Sequence, residues 1–187
     1  SNNTTGSREI IGSRITDQVE TTPDNTITVF QNHYVVVSKN DSIQFLQTYG
    51  LGPCIGLLIW DEKNQVAGMA HLDALTNKKD LLSFMWLLVG KGASWENLKA
   101  VLVGGNSETD DNLIKMIRET LIMGDAKHTN IILDELKINK DNSSSQSIVL
   151  DLFNWKLARL KQGTRVLSPD PHQVLFILSS RVLSNNS

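Results

Sequence analysis

The stretch Gly50–Leu75, GLGPCIGLLIWDEKNQVAGMAHLDAL, decides how this chain folds. Residues 54–60 (CIGLLIW) form an unbroken apolar run rather than an alternation. That is the pattern of a strand covered on both faces at the centre of a layered structure. The polar break Asp61-Glu62-Lys63-Asn64 follows, and Gln65 to Leu72 reads as a second strand, close enough to make the pair a hairpin. A turn closing on Glu62-Lys63, or on residues 61–64, sets Trp60 opposite Gln65, Leu58 opposite Ala67 and Cys54 opposite His71. Opposed residues on one face have Cβ atoms about 4.5–5.5 Å apart. A loop of three or five residues would slip the register and separate the cysteine from the histidine.

Downstream, Asn77 or Asp80 can cap a helix through LLSFMWLLV, ended by Gly90 and Gly92; its apolar residues lie nearly all round, predicting a well-buried helix. Ala100 to Val103 reads as a strand running into Gly104-Gly105. A helix capped by Ser107 or Thr109 follows, with Leu113, Ile114, Ile117, Leu121 and Ile122 as its apolar stripe. Further strands are expected at Asn130–Leu136, Ile148–Phe153 and Lys156–Leu160, and the segment after Pro171 fits a helix or a strand. Upstream, Ile27 to Val29 and Tyr34 to Val37 read as strand, turn, strand. Residues 1–26, rich in Ser, Thr and Asn, read as a poorly ordered lead-in with a short helical turn around Ile10 to Val19. Residues 27–187 are then one domain. Helices among mostly antiparallel strand pairs make an α+β protein with sheets layered against helices.

The balance of the chain narrows its function. Among 187 residues, 18 Lys+Arg stand against 20 Asp+Glu, a formal charge of -2, so no basic surplus exists to neutralise nucleic-acid phosphates. One cysteine excludes an internal disulfide and a zinc site built from several thiolates. The longest apolar stretch, Leu81 to Val89, is too short for a bilayer and predicts no membrane insertion. The expectation is a cytoplasmic protein, or a secreted effector whose export leaves no mark in the sequence. His33, His128 and His172 are scattered and fit no metal spacing.

A lone cysteine is most often a small buried hydrophobe. Beside a histidine it becomes a candidate nucleophile: imidazolium stabilises the thiolate and can later protonate a leaving amine. Gly50 and Gly52 let the backbone turn sharply before Cys54. The segment Thr48-Tyr-Gly-Leu-Gly-Pro-Cys54, followed by Val66-Ala-Gly-Met-Ala-His71, resembles the active-site core of CheD, the chemoreceptor glutamine deamidase. That family reads Thr-x-Gly-Leu-Gly-Ser-Cys and then Gly-x-Met-Ala-His, with the spacing found here from Cys54 to His71. Val101-Leu-Val-Gly-Gly105 continues the resemblance more loosely. It implies a β-sandwich core of mixed sheets flanked by helices, with Cys54 as nucleophile, His71 as base and acid, and Thr48 in support. It also implies a protein substrate bearing Gln or Asn, such as a chemoreceptor, a regulatory protein partner, and no metal or organic cofactor.

The sequence departs from that pattern in places. Pro53 stands where the family has Ser and offers no N–H to an oxyanion. Donors are therefore sought around Gly52, Cys54, Ile55, Gly104 and Gly105. Gly104-Gly105 also reads as a plain strand-to-helix turn, since it lacks a Walker lysine. His71-Leu-Asp73, with Val-Gly-Gly downstream, resembles the protein N-terminal asparagine amidohydrolases; Asp73 could orient His71, bind substrate, or serve a structural hydrogen bond. Similar Cys-His cores occur in toxin-type deamidases such as cytotoxic necrotizing factor. A catalytically impaired binding module and a transglutaminase-like acyl transferase are the two other readings.

Overall fold

Two sheets and two helices build the molecule, and the apolar run at residues 54–60 lies at the centre of the larger sheet. The computed structural model describes residues 15, 17–123 and 143–161, and the backbone of Ser7–Glu9, Ile132–Glu135 and Phe176–Ile177. The strands are β1 (Ser7–Glu9), β2 (Gln18–Val19), β3 (Thr26–Thr28), β4 (His33–Ser38), β5 (Phe45–Leu51), β6 (Ile55–Asp61), β7 (Val66–Leu72), β8 (Lys99–Gly104), β9 (Ile132–Glu135), β10 (Gln146–Asp151), β11 (Lys156–Leu160) and β12 (Phe176–Ile177). Helix α1 covers Lys78–Gly90 and α2 covers Asp111–Met123. The seven-stranded sheet has the order β1-β9-β8-β6-β7-β4-β12, and the five-stranded sheet β2-β11-β10-β5-β3. Both are mixed: β8–β9, β1–β9, β3–β5 and β2–β11 are parallel. This is the α+β sandwich of mixed sheets with flanking helices that the sequence predicts.

Strand alternation divides the core into two layers. Ile55, Leu57 and Ile59 pack with Phe84 and Met85 of α1 and Ile117 and Leu121 of α2. Cys54, Leu58, Met69, Val101 and Val103 face the other way, against Leu46, Ile148 and Leu150 of the smaller sheet. A strand buried on both faces needs apolar residues at every position, which explains the unbroken run. Gly68 completes the helix side: a Cβ there would lie 2.5 Å from Phe84 Cε1, so the ring rests directly on the backbone.

Helix α1 starts in a capping box, with Asn77 accepting from the Asp80 N–H and Asp80 accepting from the Asn77 N–H, so both expected caps act together. It is not buried all round, because Trp86 is exposed and packs edge-on against Trp95. Asp110, not Ser107 or Thr109, caps α2, through the Asn112 N–H at 2.9 Å. In the stretch expected as a lead-in, Ser7–Glu9 and Gln18–Val19 are strands, the first beside β9 and the second beside β11. Residues 10–14, His128 and His172 lie outside the described residues. No helix among the described residues is long and apolar enough to cross a membrane.

Candidate active site

The hairpin turn falls one residue later than expected, which shifts the pairing register by two. Asp61 pairs with Val66 around a four-residue turn, 62–65, so Trp60 faces Ala67, Leu58 faces Met69, and Gly56 faces His71. A slip of two keeps parity, so Cys54 and His71 still share the face turned toward the smaller sheet. They are diagonal rather than opposed. The physical reason lies in Asp61, whose charge suggested a turn residue. Its buried carboxylate instead ends the strand and collects the Asn64 and Ser94 N–H groups and the Asn64 and Asn97 side-chain amides. Burial works against ionisation there, but these hydrogen bonds outweigh it and hold the Asp61 pKa below the usual carboxylate value.

Cys54 sits on the passage between the two sheets. The chain leaves β5 at Gly50, with φ +65°, and the Gly52 N–H donates to the Gly50 carbonyl at 2.8 Å before β6 begins in the other sheet. This crossover brings Thr48 back to the histidine, which a straight strand could not do over six residues, about 20 Å. Thr48 and His71 are both buried, and Thr48 Oγ1 lies 2.7 Å from His71 Nδ1, a bond between the two sheets.

That bond assigns the imidazole tautomer. The single hydroxyl proton of Thr48 is donated to the Val29 carbonyl at 2.7 Å. Oγ1 must then accept from His71, so Nδ1 carries the ring proton and Nε2 the lone pair. Nε2 is buried and makes no hydrogen bond in this structure. Burial drives the His71 pKa down to about 4; the Asp73 carboxylate pulls it partly back, and His33 adds to the lowering. The imidazole is therefore neutral at pH 7, and the imidazolium expected beside the thiol is not the resting state.

The remaining candidates divide by what their backbone groups already do. The Gly105 N–H donates to the Cys54 carbonyl at 3.1 Å and the Gly52 N–H is engaged with Gly50, so neither is held ready for a substrate oxygen. Gly104 has φ +91° and a Cβ on it would lie 2.9 Å from Leu51 Cβ, while Gly105 has φ +83°, so packing beside Cys54 requires the first glycine and backbone conformation favours the second. The Ile55 side chain belongs to the helix-side core. Asp73 accepts from the Leu75 N–H at 3.0 Å and from Gln31 Nε2 at 3.4 Å. It lines, with Cys54, Pro53 and Gln31, a cleft of about 210 Å³ whose rim carries Glu108 and Asp110. Gln31 went unnoticed in the sequence, since a polar residue in a turn carries no motif. Among the described residues, no three of His, Cys, Asp or Glu come together to hold a metal ion.

The "probable chemoreceptor glutamine deamidase CheD" of Haloarcula marismortui is 30% identical over 131 residues, spanning 59% of this chain and 73% of that protein. The chain belongs to the CheD family. The protein of the same description from Oceanobacillus iheyensis is 34% identical over 76 residues, 33% of this chain, and the match spans only 46% of that relative. No protein-family model matches the chain. Among solved structures, the Bacillus licheniformis hypothetical protein YfiH aligns with a TM-score of 0.35 at 13% identity, over 66% of this chain and 63% of its own, a likeness too slight to carry any argument. Within the CheD family reading, Thr48, Cys54 and His71 occupy the motif positions quoted above, and the crossover at Gly50 to Cys54 joins them.

Proposed function

We propose that this protein is a cysteine-dependent deamidase that converts a glutamine side chain of a chemoreceptor-type protein to glutamate. The observation that carries the reading is the Thr48–His71 bond, which leaves Nε2 as the basic nitrogen on the face that also bears Cys54. On substrate binding, Nε2 takes the Sγ proton and the sulfur attacks the carboxamide carbon. A C–S bond forms as the carbonyl π pair moves to oxygen. Collapse of that adduct breaks the C–N bond, Nε2–H protonates the nitrogen, and ammonia leaves. Water, deprotonated by Nε2, then adds to the thioester and expels the thiolate, which recovers its proton; the net change consumes water and releases ammonia.

A neutral resting imidazole suits this sequence, because a base must be unprotonated when substrate arrives. The missing Cys54–Nε2 hydrogen bond is the ordinary condition of a site without substrate, where catalytic hydrogen bonds tighten only in the complex. Asp73 favours the imidazolium that forms transiently. No residue role here calls for a cofactor.

The test is intact-mass analysis of purified chemoreceptor cytoplasmic fragments after incubation with the protein or with Cys54→Ala, with and without a primary amine. The acid product, absent with Cys54→Ala, supports deamidation. An amine adduct would make the protein a transglutaminase-like acyl transferase, and an unmodified but bound receptor would make it a binding module.

A further inference from the structure

Resting on the proposed deamidation, we infer that Gln31 donates a side-chain N–H to the substrate carbonyl oxygen as it becomes an oxyanion. Attack on a carboxamide places a full negative charge on that oxygen, and preorganised donors are the usual means of holding it. The loop bearing the nucleophile is poorly supplied. Pro53 has no N–H, the Gly52 N–H is bonded to Gly50, and the Gly105 N–H is bonded to Cys54. Asn106, next along the chain, does not line the cleft: its N–H donates to Thr109 Oγ1 at 2.7 Å and one Nδ2 hydrogen goes to the Ser144 carbonyl at 3.0 Å. Beyond the N–H of Cys54 itself, a side-chain donor can come from across the cleft.

Among the residues lining that cleft, Asp73, Glu108 and Asp110 are carboxylates that would repel an oxyanion, and Gln31 alone carries a side-chain N–H. Its orientation follows from its neighbour. An ionised carboxylate can only accept, so Asp73 Oδ2, 3.4 Å away, fixes nitrogen rather than oxygen on that side of the Gln31 amide. Asp73 is itself held by the Leu75 N–H. Nε2 has two hydrogens. Asp73 takes one, and the second serves the cleft beside Cys54.

The experiment compares two reactions of the same sulfur in the full chain. A short acetylated peptide with an aldehyde in place of the glutamine carboxamide forms a thiohemiacetal, whose oxygen needs the hole. Iodoacetamide reacts by displacement at a saturated carbon and needs no hole. Gln31→Ala should weaken aldehyde binding and lower kcat by about 10²-fold with KM little changed. Its iodoacetamide rate should stay at the wild-type value. Gln31→Glu, of similar size but with acceptors only, should fall at least as far. Circular dichroism confirms that each variant is folded. Wild-type aldehyde affinity in Gln31→Ala overturns the inference, and so does an equal loss in both reactions, which marks a structural role. A wild-type protein that neither captures the aldehyde nor deamidates a receptor overturns the deamidase reading beneath it.

Discussion

Thr48→Val tests the link between the two sheets and the chemistry. Valine matches the shape of threonine and removes the hydroxyl, which both accepts from His71 Nδ1–H and donates to the Val29 carbonyl, each at 2.7 Å. Both partners are buried, so neither finds water instead. Each orphaned buried group costs about 1–3 kcal/mol, giving a loss of about 2–6 kcal/mol, offset by about 1 kcal/mol for the added methyl. Against a typical domain stability of about 5–15 kcal/mol, the variant should fold with a clearly lowered urea midpoint. The chemical effect is separate. Without an acceptor at Nδ1, the tautomer with its proton on Nε2 gains population and that nitrogen can no longer take the thiol proton. Deamidation should fall by roughly 10²–10⁴-fold. Thr48→Ser, which keeps the oxygen, should retain most activity. The assays are ammonia release, urea titration and imidazole ¹⁵N shifts, the last reading the tautomer directly. A folded Thr48→Val with wild-type turnover, or a Thr48→Ser as inactive as Thr48→Val, would refute the assignment of Nε2 as the base.

Acid should destabilise the fold through His71 first. Its folded pKa of about 4 lies below the ordinary histidine value of 6.5, so between those values the unfolded chain binds a proton that the native one does not. The contribution is fully present above pH 6.5 and is lost as pH falls toward 4, by about 3 kcal/mol in all, with the His33 and Asp73 charges already included in that balance. The urea midpoint of His71→Gln should be flatter across this window, and a slope equal to wild type would contradict the burial argument. Asp61 acts at lower pH: its depressed pKa stabilises the fold above the unfolded value of about 3.8 and that stability disappears as pH drops through the folded one. Asp61→Asn at neutral pH should cost about 2–4 kcal/mol, because an amide turns a donor toward the N–H groups that the carboxylate collects; thermal unfolding unchanged from wild type would rule this out. Gly68→Ala should cost about 1–3 kcal/mol by pushing its Cβ into Phe84, and a smaller side chain at position 84 should recover part of it, as measured by calorimetry.

What the sequence made legible follows the range of the interactions involved. The buried central strand, the α1 capping box and the shared face of Cys54 and His71 all rest on residues near one another in the chain, whose periodicity and spacing are visible. The turn was misplaced because Asp61 is charged yet fully buried, and only the distant Ser94 and Asn97 explain why. The strand at Gln18–Val19 was unreadable for the same reason: two residues pair with Arg159 and Leu160, and no local pattern names such a partner. The chain's tie to Thr48 was legible as a motif position, but its geometry was not, since the crossover from one sheet to the other is a property of the whole sandwich. His71 shows the sharpest divergence. Its pairing with Cys54 suggested an imidazolium beside the thiol, whereas burial between the sheets, invisible in a single sequence, keeps it neutral.

The two-residue shift in register has a consequence for the chemistry. Opposite His71 stands Gly56, which has no side chain, so the imidazole meets nothing from β6 directly across the ladder. A cysteine at that position would place sulfur against the ring in permanent contact, since opposed Cβ atoms lie about 4.5–5.5 Å apart. Cys54 is instead the diagonal neighbour, and diagonal positions are about 7–8 Å apart. An imidazole and a thiol can close that distance, and at rest no hydrogen bond reaches Nε2. Leu51 fills the space left by the absent Gly56 side chain, its Cδ1 only 3.0 Å from where a Cβ would stand. The Asp61 hub at the turn end of the hairpin fixes this register, so a buried carboxylate remote from the cleft determines which residues frame the histidine.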